Sequence, residues 1–170
     1  MGFKKTSDVI AVSFSLTELA ANTFIEHEVA LQLDVLNNEI AVILAVDLDV
    51  QTPDAISSTN TATRASLSST TRTSVGTLGA TNTLAVAADA IRAGAFGPGD
   101  GGVAFSRGAT ETYQAGLDFI GLIATNNFFI QLIGENNANP KGVSGRVWLQ
   151  RAKADSTTYA ALVQSEVLSA

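Results

Sequence analysis

No cysteine occurs in the 170-residue chain, which excludes disulfide bridges and thiolate metal sites and leaves the redox compartment open. Histidine is almost as scarce, with His27 alone. Zinc therefore has no second imidazole or thiolate to use, and a cupin-type metal centre cannot be built. Charged residues make up 15% of the chain, where about a quarter is usual. So little charge means a surface covered with Ser, Thr, Asn and Ala, or one hidden against other subunits. Ten Lys+Arg against sixteen Asp+Glu give a net charge of -6, which argues against a nucleic-acid binder working through its overall field. No stretch approaches the roughly 18 consecutive apolar residues of a membrane helix. Met1-Gly-Phe-Lys-Lys-Thr6 lacks the apolar run of a secretion signal. It fits the loose myristoylation pattern at Gly2 and otherwise reads as a frayed basic tip.

What the chain has in quantity is apolar residues at a period of two. Between Asn22 and Leu33 one parity holds Ile25, Val29, Leu31 and Leu33, and the other Glu26, Glu28 and Gln32. Between Glu39 and Val50 one parity is wholly aliphatic: Ile40, Val42, Leu44, Val46, Leu48 and Val50. Such alternation predicts antiparallel strands burying one face. The two segments read as long strands lying back to back, joined by Asn37-Asn38.

Other elements follow from the same signals. Asp8 to Leu19 reads as a strand carrying Val12, Phe14 and Leu16, and Thr52-Pro53-Asp54 stops the third strand. The Ser/Thr-rich run from Ser57 to Thr83 reads as a long loop leading into a polar, exposed strand, with Ala65, Leu67 and Val75 as inward anchors. Thr83 to Ala93 is a short helix stopped by Gly94, or a strand spoiled by alanines. Phe96 to Gly102 is a loop without the ending of a phosphate-binding motif. Strands return at Val103–Ser106, Leu117–Ile123 and Phe128–Ile133, the last two flanking a turn at Ala124-Thr-Asn-Asn127. Val143 to Arg151 makes the final strand, Val147 and Leu149 on one face and Arg146, Trp148 and Gln150 on the other. Asp155 can cap a closing helix, Ser156 to Leu168, with Tyr159, Leu162, Val163 and Val167 on one stripe and Gln164 and Glu166 off it. The expected fold is all-β: an antiparallel two-sheet sandwich of jelly-roll type with a short C-terminal helix. It forms one domain, 8–170, behind an arm at 1–7. An immunoglobulin-like sandwich is the second choice, though the chain is long for one and lacks the Cys-Trp-Cys signature.

Candidate chemistry is thin. His27 stands between Glu26 and Glu28, but no Gly-x-Ser-x-Gly elbow accompanies it. Asp47 and Asp49 leave the same face of a strand about 7 Å apart, and with Asp54 they could hold calcium. The plain reading is a solvated strand face whose like charges discourage edge pairing. Lys4 and Lys5 sit at one end of the chain, and Lys141, Arg146, Arg151 and Lys153 near the other. If the ends meet, they make a modest basic patch for phosphates or, more plainly, for acidic neighbours in an assembly. No catalytic cluster is present, so the chain is expected not to be an enzyme.

A short polar N-terminal arm, paired strands over Asn22–Val50, the Gly/Pro loop at Gly97 and a terminal strand Gly145-Arg-Val-Trp-Leu-Gln-Arg151 make the whole chain resemble a small single-jelly-roll capsid protein of a bacterial or archaeal virus. That resemblance implies many copies in an icosahedral shell, location in the virion, and contact with other capsid proteins where a second kind is present. It carries over no functional residues. Two lysines make a far weaker arm than those of many RNA-virus shells, so genome contact is expected to be weak or absent. Phe96 and Trp148 are then candidate intersubunit anchors, with Arg146 and Arg151 beside them. The other function class is a carbohydrate- or surface-binding sandwich module of a fibre or tail, with calcium at Asp47 and Asp49.

Overall fold

The computed structural model describes residues 2–112 and 117–169, with the side chains of 109–112 outside that description. The strands are β1 (Phe3–Lys5), β2 (Ile10–Thr17), β3 (Ile25–Ala30), β4 (Glu39–Val50), β5 (Thr61–Ser68), β6 (Thr83–Arg92), β7 (Val103–Arg107), β8 (Ala109–Thr112), β9 (Gly121–Ile123), β10 (Asn127–Glu135) and β11 (Gly142–Ala154), followed by helix α1 (Ser156–Ser169). In the front sheet β11 and β4 are central, β1 and β2 lie along the far side of β11, and β8 and β9 lie along the far side of β4. The back sheet runs β3-β10-β5-β6-β7. Every pairing is antiparallel.

The pairing is nested: β2 with β11, β3 with β10, β4 with β8 and β9, β5 with β6. One long hairpin rolled up on itself gives this order, which is the jelly roll. It also sends β2, β3, β4 and β5 to alternate sheets. The expected hairpin of β3 with β4 is therefore absent, since β3 pairs with β10 in the back sheet and β4 with β11 in the front. Between them Gln32 and Asn38 take left-handed backbone, a 3-10 turn spans Val35–Asn37, and buried Leu31 and Leu33 anchor the crossing. The Ala124–Asn127 turn likewise joins strands of different sheets, β9 to β10. A period of two reports which face is buried, not which strand lies alongside.

Between the sheets lies a core of Ile43, Val46, Leu67, Phe128, Ile130, Leu132 and Val147 with their neighbours. Phe14 meets Phe128 edge-to-face with centroids 5.8 Å apart, and Gly145, opposite Phe14 in the register, leaves room for that ring. The aliphatic parity of β4 does not keep to one side. Trp148 lies opposite Ala45 and Leu149 opposite Ile43, so Leu44 is an extra residue, a β-bulge. Beyond it Ala41 and Ile43 face the sandwich core while Ile40 and Val42 face outward. There they meet Phe3, Tyr159, Leu162 and Val163 in a second core beneath α1. Both faces of this half-strand are apolar because both are covered.

One segment overturns the sequence expectation, and another settles an open choice. Residues 61–68 are a central, almost wholly buried strand rather than an exposed one. Its outward hydroxyls are satisfied internally: Ser66 Oγ donates to Gln131 Oε1 at 2.7 Å, and Gln131 Nε2 donates to Ser68 Oγ and Glu26 Oε2 at 2.7 and 2.8 Å. The loop from Ser69 to Asn82 covers them, with Gly76 N donating to Ser66 Oγ at 2.8 Å. Residues 83–92 form a strand, the second of the two expected alternatives. Ala85 and Ala87 are buried opposite Leu67 and Ala65, where small side chains face large ones and fill the layer.

The chain ends are fastened together. Phe3–Lys5 pairs with Lys153 and its neighbours in β11, so the expected arm is a docked strand and the tip is not frayed. Asp155 caps α1 as expected, Thr158 N donating to its Oδ1 at 2.7 Å. Val167, expected on the buried stripe, is 64% exposed, and Glu166 is buried instead.

Candidate functional site

Of the three candidate calcium ligands, Asp47 and Asp49 are exposed on the front sheet, opposite Arg146 and Ser144. Asp54 is elsewhere and already engaged. It accepts from Lys141 Nζ at 2.5 Å and from the amides of Ala138 and Asn139, each at 2.9 Å. The Lys141 hydrogen bond, helped by those amides, holds its carboxyl below the ordinary aspartate value. Among the described residues no three His, Asp or Glu side chains gather as a metal site. His27 is exposed on β3, an edge strand.

The basic residues meet only in part. Lys4 lies opposite Lys153, which joins the two ends of the chain. Arg151 turns inward, donating to Glu39 Oε2 and Gln32 O, each at 3.1 Å, and Lys141 is buried against Asp54. Arg146 stays outward, 5.8 Å over the Trp148 ring, a cation–π pair on the outer face of the front sheet. Trp148 is partly covered, and Phe96 is exposed on the loop before β7.

The most unusual surfaces are two sheet edges. Natural sheets guard an open edge with charge, proline or a bulge. The back-sheet edge β3 is guarded by Glu26, His27 and Glu28. At the opposite edge, all five residues of β7, Val-Ala-Phe-Ser-Arg, are exposed, and its pairing to β6 is unbroken. Phe105 in its middle is 59% exposed. In the front sheet, β2 is an eight-residue edge, Ile-Ala-Val-Ser-Phe-Ser-Leu-Thr, with no charge and no irregularity. Because β2 stacks near β3 and β8 stacks near β6, the two unguarded edges lie on opposite sides of the sandwich. Exposed leucines add to this surface: Leu19 at 90% and Leu36 at 92% stand on loops at opposite ends of β3.

No protein-family model matches this chain, and no curated protein matches it.

A second surface, missed in the sequence, is a groove of about 540 Å³ on the outer face of the back sheet, beneath the 73–78 loop. Register places Arg64, Ala88 and Arg107 in one row across β5, β6 and β7. Ala90 lies outward in the next row and Arg92 in the row after. Three arginines thus surround a floor of alanines. Each arginine belongs to a different strand, 15 to 28 positions from the next along the chain. The only sequence signal was an arginine at the solvent parity of each strand, and that signal needs the register to be read.

Proposed function

We propose that this protein is a self-assembling coat subunit, building a viral shell by repeated contacts with copies of itself. The observation that carries the reading is the pair of unguarded edges on opposite sides of one sandwich. A flat edge with free backbone donors and acceptors is a template for another strand, and β2 carries no charge while β7 carries only Arg107, at its end. A β7 edge meeting the β2 edge of the next copy is a heterologous contact, which propagates from subunit to subunit and closes where the rotation allows. Each contact buries a modest area, and repetition multiplies it. Phe96, Trp148 and Arg146 extend the contact surface beyond the edges, and Lys4 with Lys153 gives at most a weak genome contact. In this reading the protein is structural rather than catalytic, and it belongs to the virion, in an icosahedral arrangement.

The test is the mass of purified protein by light scattering across concentration and salt, with negative-stain microscopy of the same samples. Rings, shells or filaments of uniform width support the reading. A protein that stays monomeric at high concentration across that salt range refutes it.

A further inference from the structure

The arginine groove lies on a sheet face, which strands adding edge to edge leave open, and Arg107 on β7 stands at the border of the two. We infer that it binds an acidic oligosaccharide, whose carboxylates are held by Arg64, Arg92 and Arg107 while its rings lie on the floor of Ala88 and Ala90.

Four observations lead there. First, in a chain of net charge -6, three arginines line one groove. Second, they are poorly neutralised. Arg64 lies 3.4 Å from Glu135, with both side chains largely exposed, and among the described residues neither Arg92 nor Arg107 has an ion-pair partner. Third, their spacing suits several charges rather than one. Arg64 and Arg107 flank β6, so their backbones stand about 10 Å apart, and Arg92 is four residues beyond Ala88, about 13 Å along the strand. Carboxylates spread along a short chain can each take a planar guanidinium fork without the three side chains having to converge on one point. Fourth, the floor is made of methyl groups and Val86, a flat apolar surface for the C–H faces of sugar rings, in a volume typical of small-ligand sites.

The alternatives fit less well. An acidic peptide would need backbone partners, and peptides gain them by adding to a sheet edge. Here β6, which forms the floor, is paired on both sides; the free ladder is that of β7 at the rim, so a peptide adding there would lie beside the floor and not on it. A nucleic-acid strand would want a series of aromatic platforms for its bases, and the groove's lining has one aromatic, Phe24.

Isothermal titration calorimetry of the intact protein with a linear galacturonate trimer tests the inference, using maltotriose as the neutral sugar and tripolyphosphate as the charge without the sugar. The galacturonate trimer is expected to bind and maltotriose not to. Arg92→Ala and Arg107→Ala should each weaken binding about tenfold, the worth of one charged hydrogen-bonded pair. Glu135→Gln, which frees Arg64, should tighten it about threefold. Lys153→Ala, which removes a cation from the other sheet, should leave it unchanged. Thermal melting of each variant confirms the fold. Any of four results overturns the inference: no binding of the trimer at millimolar concentration, equal binding of maltotriose, equal binding of tripolyphosphate, or equal loss in Lys153→Ala and Arg107→Ala.

Discussion

Replacing Phe105 with lysine puts a charge in the middle of the open β7 edge without touching the core. Phe105 is 59% exposed. Taking a phenylalanine as roughly 200 Å², about 120 Å² of ring remains for a neighbouring copy to cover. At about 25 cal/mol per Å² that area contributes about 3 kcal/mol to each contact, a little over a hundredfold in contact affinity. Desolvating the new ammonium adds to the loss. Fold stability should hardly change, because an exposed substitution of this kind stays within about 0.5 kcal/mol. Light scattering against concentration reads the first effect, and urea unfolding of the dissociated subunit reads the second. Phe105→Lys should raise the concentration needed for assembly by about two orders of magnitude while leaving the urea midpoint in place. If the variant assembles at the wild-type concentration, β7 is not a contact and the edge argument fails. If the midpoint collapses, Phe105 supports the fold and the exposure argument fails.

The two faces of the front sheet should respond differently to mutation. Val46→Asp buries an unpaired charge between the sheets and should abolish soluble folding, whereas Trp148→Ala should leave the circular dichroism intact and weaken assembly. Equal destabilisation by both would remove Trp148 from the contact surface. Glu166 is buried and accepts the amides of Ala124 and Thr125 at 2.7 and 2.9 Å. Glu166→Ala strands both donors and should cost about 2–4 kcal/mol in urea unfolding; a loss below about 1 kcal/mol would mean that water reaches them. The Asp54 carboxyl, whose value is lowered from 3.8 in the folded state, stabilises the fold fully above that unfolded-state value. This contribution disappears as pH falls through the lower folded value. Asp54→Asn should therefore differ from wild type at neutral pH and converge on it below about pH 4. A gap that persists unchanged into that range would show that the Lys141 pairing is not its source.

Much of the fold was legible because its signals are local. Alternation marked β2, β4, β10 and β11 as strands, Asp155 marked a helix start, and Thr52-Pro53-Asp54 marked a strand end. The rest depended on partners distant in the chain. β3 and β4 looked like a hairpin because each alternates and they are consecutive, yet rolling the sheet separates consecutive strands. β5 looked exposed because its hydroxyls were read as solvated. Gln131 and the 69–82 loop supply the hydrogen bonds of Ser66 and Ser68 instead, from residues that sequence order keeps apart. The alanines of β6 left helix and strand both open, and tertiary packing decides for strand over so weak a propensity where a thin side chain must face Leu67. One inserted residue at Leu44 divided a clean aliphatic stripe between two cores. Among the proposed contacts, Trp148 could be singled out as a large apolar residue on a polar parity. The arginine groove could not, since each of its arginines looks ordinary in its own strand.

The position of β11 bears on when the subunit becomes competent. It follows the other described strands along the chain, yet it pairs with β1, β2 and β4. Until residue 154 has emerged, the front sheet has no centre, β2 is not an edge of anything, and the second core has no lid. The back sheet can form earlier, since its five strands all precede residue 136. Non-local pairing of this kind is slow to form, so the front sheet matures after the back one. In the proposed assembly, a chain that has not yet placed β11 offers no finished front edge to a neighbouring copy.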